Sequence, residues 1–163
     1  MEHNCAFQDG HMKFRYRAAA VIIENENVLM ATSDTSDYYY SIGGAVHLGE
    51  KAEEAALREV FEEAGIQCEI KRLLFIHENF FIENGFENHE ISFYFLMKPV
   101  DCKSVKPESN SCGYNEYLHW IPIKDLANYK AFPSFFKNEL PNISNAVKHI
   151  VTDEREPAFS FSK

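Results

Sequence analysis

The stretch GGAVHLGEKAEEAALREVFEEAGI, Gly43 to Ile66, places six glutamates in twenty-four residues. Residues 52 to 64 contain no Pro, no Gly and one β-branched side chain, and Gly65 follows as a stop. The sequence therefore predicts a helix from Ala52 to Ala64 with Lys51 at its N-cap, where lysine offers no side-chain acceptor. At helical spacing Ala56, Leu57, Val60, Phe61 and Ala64 form an apolar stripe. Glu59, Glu62 and Glu63 are spaced i, i+3, i+4 and share a different face, with Ala52 and Ala55 beside them.

That acidic face is electrostatically awkward. Like charges at i, i+4 cost a few tenths of a kcal/mol, and acids in the last turn oppose the helix dipole. Glu62 and Glu63 sit in that turn. A bound cation would offset the repulsion, and clustered carboxylates on a rigid face suit a hard ion such as Mg²⁺ or Mn²⁺.

The remaining sequence reads as strands, turns and a helical tail. Asp9-Gly10 is a hairpin signal, followed by a long strand from Phe14 to Ile23. ENEN is a polar turn, VLMAT a returning strand, SDTSD a loop and YYYSI another strand. CEIKRLLFIHENFFI and HEISFYFLMKP are long strands around a turn at Gly85. The polar segment VDCKSVKPESNSCGYN reads as an exposed loop, and EYLHWIPI as a strand. Helical candidates follow at 124–129, 134–140 and 143–151. The order fits one α/β domain, residues 1–163, with a mixed sheet and flanking helices.

With 163 residues, 45% of them apolar, the chain has enough material for a sizeable core. No apolar run is long enough to span a bilayer, and the N-terminal residues lack a signal-type apolar stretch. The four cysteines, at 5, 68, 102 and 112, form no C-x-x-C pair. Reduced thiols and a cytoplasmic location are the expectation. A net charge of −9 disfavours nucleic acid and anionic membrane as partners.

The pattern Gly44, Glu50, Arg58-Glu59-Val60, Glu62-Glu63, Gly65-Ile66 resembles the complete Nudix box. Seven fixed residues and two aliphatic positions coincide. The resemblance implies a Nudix-type α/β/α sandwich with a loop-helix-loop catalytic motif. It also implies Mg²⁺-dependent hydrolysis, with Mn²⁺ as a substitute, of a pyrophosphate bond in a small nucleoside diphosphate derivative. On this resemblance Glu62 and Glu63 match the principal metal-ligand positions, and Glu59 a ligand or base position. Gly43 matches a residue whose carbonyl binds metal, Glu50 a water-mediated ligand or orienting acid, and Arg58 a residue that holds a box glutamate. Either Glu59 or Glu63 is the base. Some members add a later carboxylate, for which Glu116 is the candidate and Glu90 the rival.

The chain departs from the family at two places. Ile42 stands where many members have Pro, and Lys51 where many have Ser or Thr. The region that separates subfamilies holds Phe80, Phe81 and Ile82, matching neither the ADP-ribose nor the dinucleoside-polyphosphate signal. Tyr38, Tyr40, Phe80 and Phe81 are candidates to stack a base, and Arg15, Arg17, Lys71 and Arg72 to meet phosphates. His77, His89 and His119 read as structural. A catalytically silent nucleotide sensor on the same fold is the alternative, although its usual mark is a broken box. A homodimer is compatible with the sequence.

Overall fold

The computed structural model describes residues 3–100, 108–109 and 115–155. The chain opens with a hairpin of β1 (Ala6–Asp9) and β2 (Met12–Glu24), turning at Gly10 in the left-handed region. A second tight turn leads to β3 (Asn27–Ser33). Its two central residues, Asn25 and Glu26, have φ of 48° and 63°, the conformation that matches strand twist in two-residue hairpins. Short strands β4 (Tyr39–Tyr40) and β5 (Gly43–Ala45) precede helix α1 (Ala52–Ala64).

After α1 come the long strands β6 (Cys68–Glu83) and β7 (Phe86–Pro99), then β8 (Glu108–Ser109) and β9 (Glu116–Pro122). A 3₁₀ segment (Ile123–Asn128), β10 (Ala131–Phe132), the one-turn helix α2 (Phe136–Glu139), a further 3₁₀ turn (Leu140–Asn142) and β11 (Lys148–Asp153) complete the described chain.

The strands form a mixed sheet in the order β10-β4-β3-β2-β7-β6-β11. β2 runs parallel to β7, β6 and β7 are antiparallel, and β9 pairs with β3. β5 lies on β2 through Arg17↔Ala45, Ala18↔Gly44 and Ala19↔Gly43. Strand alternation splits β2 between two cores. Ala18, Ala20 and Ile22 belong to the core containing Ala55, Ala56, Val60 and Ala64 of α1. Ala19 and Val21 belong to the other, with Phe75, Phe136 and Leu140. The result is the expected α/β/α layering, although its second helical layer is only α2 and its flanking 3₁₀ turns.

Helix α1 begins and ends as the sequence implies. Lys51 is its N-cap without a side-chain cap bond, and the Glu54 carboxylate accepts from the Lys51 amide at 3.2 Å. Gly65 closes it with φ 68°, donating its amide to the Phe61 carbonyl.

Three readings need correction, and a fourth is refined. Residues 143–151 do not form a helix: 148–153 is β11, pairing in parallel with β6 from Lys148↔Phe75 to Asp153↔Phe80. Its Ile-Val-Thr run favours a pleated edge, and alternate residues are half-buried. YYYSI supplies only two strand residues before the chain turns into β5. The helical candidate at 124–129 is helical, in the form of the 3₁₀ segment Ile123–Asn128. In α1 the apolar stripe is rotated, so that Phe61 is 57% exposed and Glu63 joins Ala55, Ala56, Val60 and Ala64 among the buried positions. The proposed loop from Val100 to Asn115 lies largely outside the described residues, as do Cys102 and Cys112. Of that stretch, Glu108 and Ser109 pair with β9.

Candidate active site

Two adjacent glycines let β5 and α1 come together. A Cβ on Gly44 would lie 2.3 Å from Glu59 Oε1, and one on Gly43 only 2.4 Å from the Ala18 carbonyl oxygen. Gly43 also has φ 147°, so any side chain there is strained as well as crowded. The carboxylate of Glu59 therefore lies against the backbone of the loop that enters the helix.

Arg58 organises the acids on one side. Its Nε and Nη2 donate to the two oxygens of Glu50 at 2.9 and 3.0 Å. Nη1 donates to Glu59 Oε1 at 2.6 Å and reaches Glu62 Oε2 at 3.4 Å. Nη2 also donates to the Ala45 carbonyl at 3.2 Å, tying the helix back to β5. The fork-to-carboxylate geometry holds Glu50 below the usual carboxylate range, chiefly through the Arg58 hydrogen bonds. Glu50 also accepts the His47 amide at 2.9 Å, so this acid braces the loop.

Glu63 has a different environment. It is 7% exposed, and its Oε2 has no hydrogen-bond partner among the described residues. Burial pushes its carboxyl well above the usual range. Negative charge on Glu116 and Glu59 pushes the same way, while Arg17 and the Gly43 backbone oppose it. Glu116, 3% exposed at the start of β9, accepts from the Tyr40 hydroxyl at 2.7 Å.

Glu116 and Glu90, left as rivals by the sequence, occupy distinct settings. Glu90 is gripped by Arg15, whose Nε donates to Oε2 at 2.6 Å, and it accepts from the Ser92 hydroxyl at 2.7 Å. Burial alone would raise its carboxyl, but Arg15 and Arg17 outweigh burial and hold it below the usual range. Glu90 is thus neutralised within the sheet, whereas Glu116 acts on Glu63.

Arg17 is the site residue least legible beforehand. Arg15 and Arg17 share a strand face, as alternation requires, but only Arg17 is buried. Its Nη2 donates to the carbonyls of Ser41 at 2.7 Å and Gly43 at 3.0 Å, and its Nη1 to the Ser41 hydroxyl at 3.2 Å. Burial works against its charge, but Tyr94, Glu90, Glu63 and Glu59 more than offset it and raise its pKa. The available signal was a second basic residue in a strand that turns wholly apolar at Ala18.

Among the described residues, no three Asp, Glu, His or Cys side chains are already drawn into a cage. The chemistry of the group nevertheless fits a cation. A buried carboxylate oxygen with no partner among the described residues, and two further acids acting on it, make a hard-oxygen donor set. Glu62, exposed on the helix rim, lies at the edge of this group.

The other candidates are dispersed. Phe80 is stacked on His89 at 4.4 Å and faced by Arg155. Lys71 pairs with Glu69, and Arg72 donates to the Ser144 carbonyl. His77 is buried against Phe135 and contacts Thr152 Oγ1 at 2.7 Å, a structural role.

Comparison with known proteins agrees with this architecture. The family model described as NUDIX domain matches residues 14–141. A putative nudix hydrolase 1 of Caenorhabditis elegans is 31% identical over 129 residues, 75% of this chain and 33% of that protein. Diphosphoinositol polyphosphate phosphohydrolase 3-alpha of Mus musculus is 29% identical over 116 residues, 69% of this chain and 66% of that protein. This chain thus spans a third of the first relative and just under two thirds of the second. The crystal structure of a UDP-X diphosphatase superposes with a TM-score of 0.65 at 18% identity, covering 83% of this chain and 66% of that one. On the match to residues 14–141, over a fold of the same architecture, this chain belongs to the NUDIX domain family.

Proposed function

We propose that this chain is a Mg²⁺-dependent pyrophosphohydrolase acting on a nucleoside diphosphate derivative, with Mn²⁺ able to substitute. The observation that carries this reading is Glu63, a buried carboxylate with an unpartnered oxygen set against Glu116 and Glu59. Glu63, Glu59, Glu116 and Glu62, with the Gly43 carbonyl, would hold the metal. A divalent ion there supplies charge neutralisation at the phosphoryl oxygens and lowers the pKa of water.

The chain's own residues do the rest. Arg58 keeps Glu50 ionised and holds both Glu50 and Glu59 in place, so that no reorganisation is needed when charge builds up on the substrate. Glu59 or Glu63 takes the proton of the attacking water. Arg17 holds the Ser41–Gly43 backbone and places a fixed positive charge behind the acids.

Phosphate release is the test. Nucleotide sugars, ADP-ribose, dinucleoside polyphosphates, nucleoside triphosphates and a diphosphoinositol polyphosphate are incubated with Mg²⁺, and the products are treated with phosphatase. Metal-dependent cleavage of at least one nucleoside diphosphate derivative is expected. Cleavage of none of them, with Mn²⁺ and EDTA giving identical melting curves, would sink the proposal.

A further inference from the structure

The parallel pairing of β10 with β4 has a chemical consequence. It sets Ala131 beside Tyr39 and Phe132 beside Tyr40, and the Ser41 amide donates to the Phe132 carbonyl at 3.1 Å. Phe132, from a segment far along the chain, is thereby brought to the loop that leads into the acidic helix. The rings form a continuous series. Tyr40 lies 6.1 Å from Tyr38 centroid to centroid, and Tyr38 lies 5.3 Å from Phe132, both edge to face. Phe132 is 37% exposed, and Tyr38 and Tyr40 are half-buried. Lys130, held by Asp37 at 2.8 Å, sits 5.7 Å over the Tyr38 ring and flanks it. At the other end, the Tyr40 hydroxyl donates to Glu116, one of the acids acting on Glu63.

We infer that Tyr38 and Phe132 form an aromatic wall for the nucleobase of the substrate, one ring meeting its face and the perpendicular ring its edge, joined through Tyr40 to the acids that would face its phosphates. The inference rests on the pyrophosphohydrolase reading and adds where the base binds. A nucleoside diphosphate has a flat π-face a few bonds from its phosphates, and this wall begins one hydrogen bond from the acidic group. Aromatic rings accept any base because every base has a π-face. A cyclitol polyphosphate has no π-face and carries dense negative charge, which a chain of net charge −9 does not favour. Of the four aromatics picked out in the sequence, Tyr38 and Tyr40 belong to this wall, while Phe80 is engaged by His89 and Arg155.

The test is calorimetric titration of the full chain in Mg²⁺ with AMP, UMP and ribose 5-phosphate. The nucleotides should bind roughly 5- to 100-fold more tightly than the base-free sugar phosphate. Tyr38→Leu and Phe132→Leu should each remove most of that advantage without changing the affinity for ribose 5-phosphate. Melting curves accompany both variants, and Tyr38→Leu decides alone if Phe132→Leu is unfolded. Equal affinity for all three ligands in the wild type, or the full advantage retained in every folded variant, overturns the inference. If the wild type hydrolyses nothing but keeps its base preference, the wall stands and the pyrophosphohydrolase reading fails.

Discussion

Arg58 and Glu50 meet as fork and carboxylate, with Nε and Nη2 at 2.9 and 3.0 Å from the two oxygens, across the loop that enters α1. The remaining Arg58 nitrogen holds Glu59. One guanidinium therefore fixes both the loop and a site acid, a task that a single ammonium cannot reproduce. Arg58→Lys should lower stability by about 1.5–3 kcal/mol, the worth of charge-assisted bonds in a partly buried setting. Turnover should fall at least about tenfold, because Glu59 loses its fixed orientation. Urea melts and steady-state kinetics check both, and an unchanged kcat would remove Arg58 from the positioning role.

Gly44 makes a sharper test of the same acid. A methyl group there would contact the Glu59 carboxylate, which Arg58 keeps from swinging freely. Gly44→Ala should leave a folded protein with kcat reduced roughly 10²-fold, as expected for a displacement of about 1 Å. Gly43→Ala meets backbone atoms of β2 at positive φ and should lower the melting temperature severely instead. Circular dichroism and kcat for the pair separate the two effects; equal behaviour of the two variants would refute the distinction.

Glu63→Gln removes a charge from a buried position beside Glu116 and Glu59. In EDTA the variant should be as stable as wild type or more so. The sign follows from the raised carboxyl: the wild-type native state prefers the proton, so the variant's advantage is greatest at alkaline pH and shrinks as pH falls. In Mg²⁺ its kcat should drop by roughly 10²–10⁴-fold. A loss of stability in EDTA together with normal turnover would assign Glu63 to the core alone.

His77 gives the molecule a pH dependence apart from the site. The ring is 2% exposed, and burial lowers its pKa from 6.5 to about 4. Between those values the unfolded chain binds a proton that the native ring refuses. Stability therefore falls as pH drops from about 6.5 to about 4, by roughly 3 kcal/mol for this group. Urea titrations of wild type and His77→Gln at a series of pH values should differ by a gap that changes by this amount across the window. Parallel curves would show that the ring is not held neutral.

The local chain determined the helix and its ends. The span from Lys51 to Gly65 follows from propensity and a left-handed stop, both properties of neighbouring residues. The tight turns at Gly10 and Asn25-Glu26 and the long β6–β7 hairpin are local in the same way. Box spacing likewise picked out Glu50, Arg58, Glu59, Glu62 and Glu63 as candidate site residues before any fold was known. Periodicity placed Glu63 on a face with Glu62, but it could not say which edge of that face would be covered. The packing of α1 against β2 and β5 buried Glu63 and left Phe61 and Glu62 outside. Glu116 and Glu90 looked alike as isolated acids, and they parted only when β2 brought Arg15 to one and β9 brought the other toward Glu63. β11 was misread because Ile150, Val151 and Thr152 gain their hydrogen bonds from β6, about seventy residues earlier, and no local preference records such a partner. Arg17 over Gly43 and Phe132 beside Tyr40 are of the same kind. Contacts between distant segments depend on sheet order and register, and these are fixed only when the whole core packs.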